Sequence, residues 1–345
     1  MNLEKATQTL ASVRGEGKPE EIADALVEYA SALIESGQIA EACAAMNEAT
    51  QLYHGLQQFI DEARCSHLTA SFYRFIGELV KAQERAEYAL SLVEPGTPIA
   101  VSATAELGEI AFLTGKMQLA ANYYLESLKH GEIAGLLPRL QAELLRKRAF
   151  ALSQAQNLDD AFQALQQALS LVQQSENADL AVRIQIEQAT AQQLLGNWED
   201  AEEIVQKAQK QAFSLNDGLA LADLCLLQST YCLETGNIAS ARVIAEMARG
   251  YALQASAPVQ YVGAAIAISD FANVQQDWIG AYEALAVGWV TLSDLMGAEV
   301  GEASFKPKLL ELRNRWGVEK FNSIRVAYEA HRRAVTNPFS SSRPE

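Results

Sequence analysis

The feature that most constrains this chain is a repeat of about 40 residues that occupies most of its 345 positions. Seven segments align on one turn residue, and the steps between successive turn residues are 40, 38, 41, 40, 40 and 40. The turn residues are Gly37, Gly77, Gly115, Gln156, Gly196, Gly236 and Gln276. A period of roughly 20–50 residues is typical of arrays in which each repeat is one supersecondary unit stacked on its neighbours. The register therefore predicts a stacked array.

Small residues recur at fixed offsets from the turn. Alanine lies five positions after it in all seven segments: Ala42, Ala82, Ala120, Ala161, Ala201, Ala241 and Ala281. Alanine, serine or glycine lies twelve positions after it and seven positions before it, and a large apolar residue lies two positions after it. Positions seven apart share one helix face. We therefore predict antiparallel helical hairpins with closely approaching axes, each with its turn residue in a left-handed conformation.

The pattern resembles the tetratricopeptide repeat, a helix-turn-helix with small residues at its close contacts and a bulky residue after the turn. Leu107 and Gly108 match the Leu-Gly pair that the family often carries midway along the first helix. The resemblance covers residues 23–292. The period exceeds the family's usual length of about 34 residues, and the aromatic residue expected early in the first helix is missing. The resemblance implies an all-α, right-handed superhelical solenoid of seven hairpins with helical caps.

The segments outside the array predict caps at both ends. Residues 1–22 read as an N-terminal capping helix with Leu3, Leu10 and Val13 on its inner side, and residues 23–292 hold the seven repeats. Residues 293–335 read as a basic C-terminal helical cap, in which 295–307 form a linker before two further helices. Residues 336–345 read as a disordered tail.

Charge and composition exclude several classes of function. Twenty-seven Lys and Arg face 43 Asp and Glu, a net charge of −16, which disfavours nucleic acid and anionic lipid as partners. The N-terminus lacks a secretory apolar core, and no apolar run approaches the roughly 20 residues that a membrane-spanning helix needs. Four cysteines without Cys-x-x-Cys spacing fit a reduced chain. We therefore expect a cytoplasmic protein.

Catalytic and metal-binding motifs are not found in the sequence. The four histidines are scattered through different segments without ligand spacing, so neither a metal site nor a cofactor is predicted. Cys225 and Cys232 lie seven residues apart in apolar surroundings and read as buried packing residues. The sequence therefore predicts a protein that is not an enzyme.

What remains as a candidate site is a surface. In the resembled family the first helices line a concave groove, with groove positions about 13, 10, 6 and 3 residues before each turn. The candidates that this resemblance implies are Arg64, His67, Arg74, Glu109, Phe112, Arg146, Phe150 and Arg183. One hypothesis is a groove for an acidic peptide or a C-terminal carboxylate, to which arginine offers paired donors. The alternative is that these arginines pair with Glu109 and Glu143 across neighbouring repeats, which leaves no net positive site.

The C-terminal segment differs in charge from the rest of the chain. Residues 303–345 contain nine Lys or Arg and four Glu, a net of +5, and the preceding residues therefore carry −21. Such a positive cap could dock on a neighbouring protomer or fold back on its own body. The alternative is an ordinary solvated capping helix.

These observations favour a non-catalytic scaffold or adaptor that binds a segment of a protein partner on the concave face. The alternative is a regulatory superhelix that senses a peptide or a small molecule and acts on a separate effector. Arrays of this period also resemble the regulatory superhelices of bacterial transcription activators and signalling ATPases.

Overall fold

The computed structural model describes residues 2–173 and 177–336, which form 17 α-helices and no strand. The chain divides into two compact units, Met1–Asn177 and Ala178–Glu345. They are called unit 1 and unit 2 below, and each is described by itself.

Unit 1 holds a single helix followed by four hairpins. The helices are α1 (Leu3–Glu16), α2 (Pro19–Glu35), α3 (Ile39–Gly55), α4 (Phe59–Phe75), α5 (Leu79–Ser91), α6 (Pro98–Leu113), α7 (Met117–Ala134), α8 (Pro138–Gln154) and α9 (Leu158–Gln173). Each pair from α2/α3 to α8/α9 packs as a hairpin, and each hairpin packs on the next. The first helices α4 and α6 also touch each other and so lie on the same side of the stack.

Unit 2 continues the same pattern with three hairpins and a terminal pair. Its helices are α10 (Ala178–Leu195), α11 (Trp198–Ser214), α12 (Gly218–Glu234), α13 (Ile238–Gln254), α14 (Pro258–Val274), α15 (Trp278–Met296), α16 (Ala298–Trp316) and α17 (Val318–Thr336). The first helices again touch in sequence, α10 with α12 and α12 with α14. The predicted all-α array of seven helical hairpins is confirmed.

All seven predicted turn residues adopt the left-handed backbone, with φ between 60° at Gln276 and 81° at Gly196. The residue after each turn closes the helix end. The amide of Gln38, for example, donates to the carbonyl of Leu33 at 2.9 Å, and that of Asn197 to Gln192 at 2.9 Å. These bonds satisfy carbonyls that a helix end otherwise leaves unpaired.

A second set of left-handed residues joins one hairpin to the next, which the sequence pattern did not predict. The set consists of Gln57, Gly96, Gly135, Asn216, Ser256 and Gly297. Its members belong to several residue types, so no single amino acid recurs at this position of the repeat.

The small residues lie where the helices of a hairpin approach each other. The seven alanines five positions after the turn are each 0% exposed. At the position twelve after the turn, Ser127 replaces alanine in the third repeat, and its hydroxyl donates to the carbonyl of Val101 at 2.8 Å. Larger side chains at these positions would push the helices apart.

The predicted cap at the start of the chain is a helix, α1. Leu10 is buried against the first hairpin, with Leu3 and Val13 packed beside it, as the sequence indicated. Helix α2 begins at Pro19, four residues before the expected start of the array.

The linker predicted at residues 295–307 is wrong. Helix α15 runs to Met296, Gly297 turns the chain with φ 100°, and α16 begins at Ala298 and continues through Pro307. Gly301 reads as a loop residue but is a packing residue, because a Cβ there would lie 2.0 Å from the hydroxyl oxygen of Ser293. The two further helices are present, and α17 extends to Thr336. The rest of the predicted tail, 337–345, lies outside the described residues.

Candidate functional site

The predicted site residues all lie on first helices, but they are divided between the units. Arg64, His67 and Arg74 are on α4, Glu109 and Phe112 are on α6, and Arg146 and Phe150 are on α8. Arg183 is exposed on α10 in unit 2. The site is therefore described for the seven residues of unit 1.

Arg74 is bound to a carboxylate of the neighbouring first helix. Its Nε donates to Oε1 of Glu106 at 2.5 Å, and the hydroxyl of Ser71 donates to Oε2 of the same carboxylate at 3.0 Å. The Glu106 side chain is only 7% exposed. Burial lowers the pKa of Arg74, but the hydrogen bond and charge of Glu106 outweigh it and raise the pKa overall. Because Arg74 already neutralises a buried charge, it offers little to an outside anion.

Glu109 is also satisfied within the unit. Lys147 on α8 donates to its Oε1 at 2.6 Å, and the hydroxyl of Tyr124 is hydrogen-bonded to the same carboxylate. Burial, followed by the charge of Glu109, raises the pKa of Tyr124. These contacts tie α6 to α8 and α7. The partners Glu106 and Lys147 were not among the predicted residues.

Arg64 and Arg146 each pair with an acidic residue of their own helix. Arg64 Nη1 lies 2.8 Å from Oδ1 of Asp61, and Arg146 Nη1 lies 2.9 Å from Oε2 of Glu143. The Arg146 side chain is 21% exposed, whereas that of Arg64 is 58% exposed. An exposed pair at this spacing contributes little energy. Of the three predicted arginines in unit 1, Arg64 is therefore the one that an outside carboxylate can reach at least cost.

His67 is a neutral residue at this site. Burial lowers its pKa, and the charge of Glu106 opposes that shift only in part. Its Nδ1 is buried and has no hydrogen-bond partner among the described residues. It therefore adds no positive charge near pH 7.

Aromatic side chains supply exposed apolar surface on α6 and α8. The rings of Phe112 and Phe150 lie 5.3 Å apart between centroids and are tilted by 32°, and Phe150 is 57% exposed. Phe75, at 77%, and Leu113, at 54%, are exposed at the ends of α4 and α6, each two residues before its turn. We call Phe75, Phe112, Leu113 and Phe150 the apolar strip.

Phe75 and Leu113 were missed because the groove offsets taken from the resembled family skip the position two before the turn. The signal was present in the sequence, since a large apolar residue also stands at this offset at Leu194 and Val274. Leu194 and Val274 are 63% and 55% exposed. An exposed apolar residue that recurs at one offset of the repeat is a stronger indication of an interaction surface than a single exposed apolar residue.

The cysteines offer no nucleophile. Cys43, Cys65 and Cys225 are buried and Cys232 is half-buried, all as free thiols. Burial raises the pKa of Cys225 to about 11, and burial followed by the charge of Asp61 raises that of Cys65 to about 12. Because the thiolate is the reactive form, these are packing residues at neutral pH.

Two kinds of feature are absent from the part of the chain that the structure describes. No group of three or more His, Cys, Asp or Glu side chains is placed to hold a metal ion. None of the described helices has both the length and the apolar character that crossing a bilayer requires.

Solved structures with the same architecture are tetratricopeptide-repeat proteins, and this chain has their fold. The sequence itself matches no protein-family model and no curated protein. A signal-transduction ATPase with a tetratricopeptide-repeat sensor from Pyrococcus horikoshii superposes with a TM-score of 0.65 at 17% identity, over 83% of this chain and 44% of that one.

Two further structures cover most of both chains. A tetratricopeptide-repeat protein from Parabacteroides merdae has a TM-score of 0.57 at 17% identity, over 82% of this chain and 97% of that one. A Rap protein complexed with competence and sporulation factor has a TM-score of 0.53 at 13% identity, over 91% of this chain and 88% of that one. At these identities the likeness establishes the fold, and a fold does not specify a function.

Proposed function

We propose that the chain is a non-catalytic scaffold that binds a segment of a protein partner on the first helices of unit 1. The apolar strip is the observation that carries this proposal. Exposed aromatic and aliphatic side chains on neighbouring elements are typical anchors of protein interfaces. This function involves no cofactor, and neither nucleic acid nor membrane lipid is a partner. The net charge of −16 disfavours binding to both of these anionic partners.

The ion pairs of unit 1 change the chemistry expected of the partner. Arg74 and Lys147 are bound to Glu106 and Glu109, so the groove presents less positive charge than its sequence indicates. We propose that apolar side chains of the partner bind the strip and that a carboxylate of an acidic partner reaches Arg64. Burial of apolar side chains then supplies most of the affinity, and the contact with Arg64 fixes the orientation of the bound partner segment.

The test is capture of partners from native lysate with two variants of the full chain. Phe75→Ser combined with Phe150→Ser removes the strip's most exposed rings and should lose a partner that wild type recovers. The control is Phe213→Ser, which removes a ring that is 73% exposed on α11. If both variants recover the same proteins as wild type, the strip is not the binding site.

A second variant separates charge from apolar contact. Arg64→Glu should weaken binding of the same partner, with a loss that shrinks as salt concentration rises. If Arg64→Glu leaves affinity unchanged at low salt, the partner is not held through a carboxylate at this position.

The alternative function is a sensor that binds a peptide or a small molecule and acts on a separate effector. The likeness to the tetratricopeptide-repeat sensor of the signal-transduction ATPase and to the Rap complex favours it. A sensor should gain thermal stability from its ligand, because a ligand that binds the folded state raises its stability. A scaffold should instead recover a defined protein and show no shift across a metabolite and peptide screen.

A further inference from the structure

A cavity of about 170 Å³ opens at one edge of unit 2, where α13 ends, α14 begins and α15 ends. Its walls are mainly apolar side chains, among them Leu253, Leu292, Leu295 and Met296, and none of the described residues that line it is charged. Leu292 is buried, whereas Leu253, Leu295 and Met296 are about half exposed and form an open rim. We call this cavity the edge pocket.

The volume of the edge pocket suits one small aromatic ring. An apolar cavity of about 150 Å³ inside a protein binds benzene. A charged molecule would lose its hydration in this pocket without meeting an opposite charge on the lining. The edge pocket therefore selects an uncharged ring of the size of benzene or slightly larger.

One polar side chain of the wall lacks a hydrogen bond. Tyr261 lines the edge pocket and is only 5% exposed, yet its hydroxyl has no partner among the residues that the structure describes. A buried tyrosine hydroxyl normally has such a partner. A ligand that carries one hydrogen-bonding group can supply it.

The N-cap of α14 is also unusual at this place. Ala257 lines the edge pocket and caps α14 without a side-chain hydrogen bond. The N-cap of α12 is Asp217, whose Oδ1 accepts from the amide of Ala220 at 3.0 Å. Alanine is a poor N-cap, but a longer side chain at position 257 would take up part of the pocket. The missing cap and the unpaired hydroxyl therefore meet at one cavity, and such local losses are typical of functional sites.

We propose that the edge pocket binds a small uncharged aromatic molecule of the size of phenol, whose one polar group pairs with the hydroxyl of Tyr261. The ring of this ligand lies against Leu253, Leu292 and Leu295. This inference rests on the alternative function, the sensor, and gives that sensor a site and a class of ligand. The edge pocket uses no residue of the apolar strip.

Titration of the full chain with phenol and with benzene tests this proposal. The chain is labelled at its methionine methyl groups, and the NMR signal of Met296 on the rim is assigned with Met296→Leu. This signal should shift saturably with both probes. Tyr261→Phe should weaken the binding of phenol about fivefold, because one hydrogen bond is lost, and should leave the affinity for benzene unchanged.

A second variant separates loss of the site from loss of the fold. Ala257→Asp places a carboxylate at the pocket and gives α14 the N-cap that α12 has. It should abolish the binding of both probes and at the same time raise the temperature of unfolding. Gln254→Glu, at an exposed position that does not line the pocket, is the control for added charge and should bind as wild type does.

Shifts that do not saturate with either probe would overturn the proposal, and so would an equal loss of phenol and benzene binding in Tyr261→Phe. N-acetyltyrosinamide is the third probe. If it binds about tenfold more tightly than phenol, the pocket takes a tyrosine side chain of a protein partner, which also overturns the proposal. The sensor function itself is decided separately, by the ligand screen of the wild-type chain.

Discussion

Five of the described residues with positive φ are not glycine, and two of them stand where other repeats carry glycine. Gln156 has φ 61° and Gln276 has φ 60°, whereas Gly196 has φ 81° at the equivalent turn. A side chain in this region costs roughly 1–2 kcal/mol. The packing of the hairpin therefore imposes the turn geometry, and glycine lowers its conformational free-energy cost.

Gln156→Gly should stabilise the chain. Relief of the left-handed strain exceeds the entropy that glycine loses on folding, about 0.5–1 kcal/mol, so we expect a gain of about 0.5–1 kcal/mol. Chemical denaturation monitored by circular dichroism measures it. Gly196→Gln is the reciprocal control and should lose a similar amount. A loss of stability in Gln156→Gly would show that the glutamine side chain makes a contact worth more than the strain.

Asp223 predicts a pH dependence at the residue scale. Burial raises its pKa, the hydrogen bond from Gln260 lowers it in part, and the charge of Asp217 raises it further, for a net increase. A carboxyl group with a raised pKa in the folded state favours folding when protonated. Its contribution falls as pH rises from the unfolded value, about 3.9, through the folded value.

Asp223→Asn should therefore be more stable than wild type at pH 7 and equal to it at low pH. Thermal unfolding of both proteins across the acidic range measures this difference. Glu203→Gln, at an exposed position on α11, controls for the loss of one negative charge. A stability difference that does not change with pH would mean that Asp223 is not shifted.

At the scale of elements, glycine has opposite roles in two helix interiors. A Cβ at Gly288 on α15 would lie 2.7 Å from Cζ of Phe305, a residue of α16 that is 0% exposed. A Cβ at Gly250 on α13 would meet nothing within 4 Å. The first glycine allows two helices to approach, and the second only weakens its helix.

The same substitution at these two sites should change stability in opposite directions. Gly250→Ala should gain up to about 1 kcal/mol from helix propensity. Gly288→Ala makes the same gain but overlaps a buried ring, and overpacking costs about 1–3 kcal/mol. Urea denaturation of both variants gives the difference. Equal effects would show that α16 shifts freely on α15.

Most elements of this fold could be predicted because their cues are local and repeated. The turn at Gly77 and the alanine at Ala82 recur with the same spacing in every segment. The start of α16 was missed because Gly301 and Pro307 read as breakers in sequence. In the structure Gly301 gives room for the neighbouring helix. Whether a position must be glycine depends on which residue packs against it. A single sequence does not show that neighbouring residue.

The candidate site was predictable in position but not in chemistry. Arg74 was expected on a first helix and lies there, yet its guanidinium is already bound to Glu106 from the next hairpin and is not available to an outside anion. One of the two hypotheses paired Glu109 with an arginine of a neighbouring repeat, whereas Lys147 is the residue that donates to it. Pairings of this kind depend on distances of a few ångströms between helices. The register of the repeats predicts which helices are neighbours, but it does not determine the distances between their side chains.

At the scale of the whole molecule, the basic C-terminal helices bear on self-association. Several of their charges are paired within a helix, as Lys306 is with Glu302 and Arg315 with Glu311. Deletion of 303–345 would not test docking, because it removes Phe305 from a buried contact with α15. Charge reversal on the surface of α16 is the sharper change.

If the basic helices dock on a neighbouring protomer, light scattering should give a mass above that of the monomer at low salt. High salt should lower it. Lys306→Glu with Arg313→Glu should remain monomeric under both conditions. Lys207→Glu with Lys210→Glu, at exposed positions on α11, is the control for net charge and should associate as wild type does. A wild-type monomer at both salt concentrations would exclude the docking hypothesis.

The constant spacing of the turns also bears on how such a gene can change in length. Gln156, Gly196, Gly236 and Gln276 are separated by steps of 40 residues, and the alanine five positions after each of them is fully buried. Recombination between neighbouring repeats in the DNA would thus remove or insert about 120 nucleotides, in frame, and join two helices that already carry matching contact residues. In this part of the chain whole hairpins can thus be lost or duplicated while each remaining hairpin keeps its own buried alanine contact.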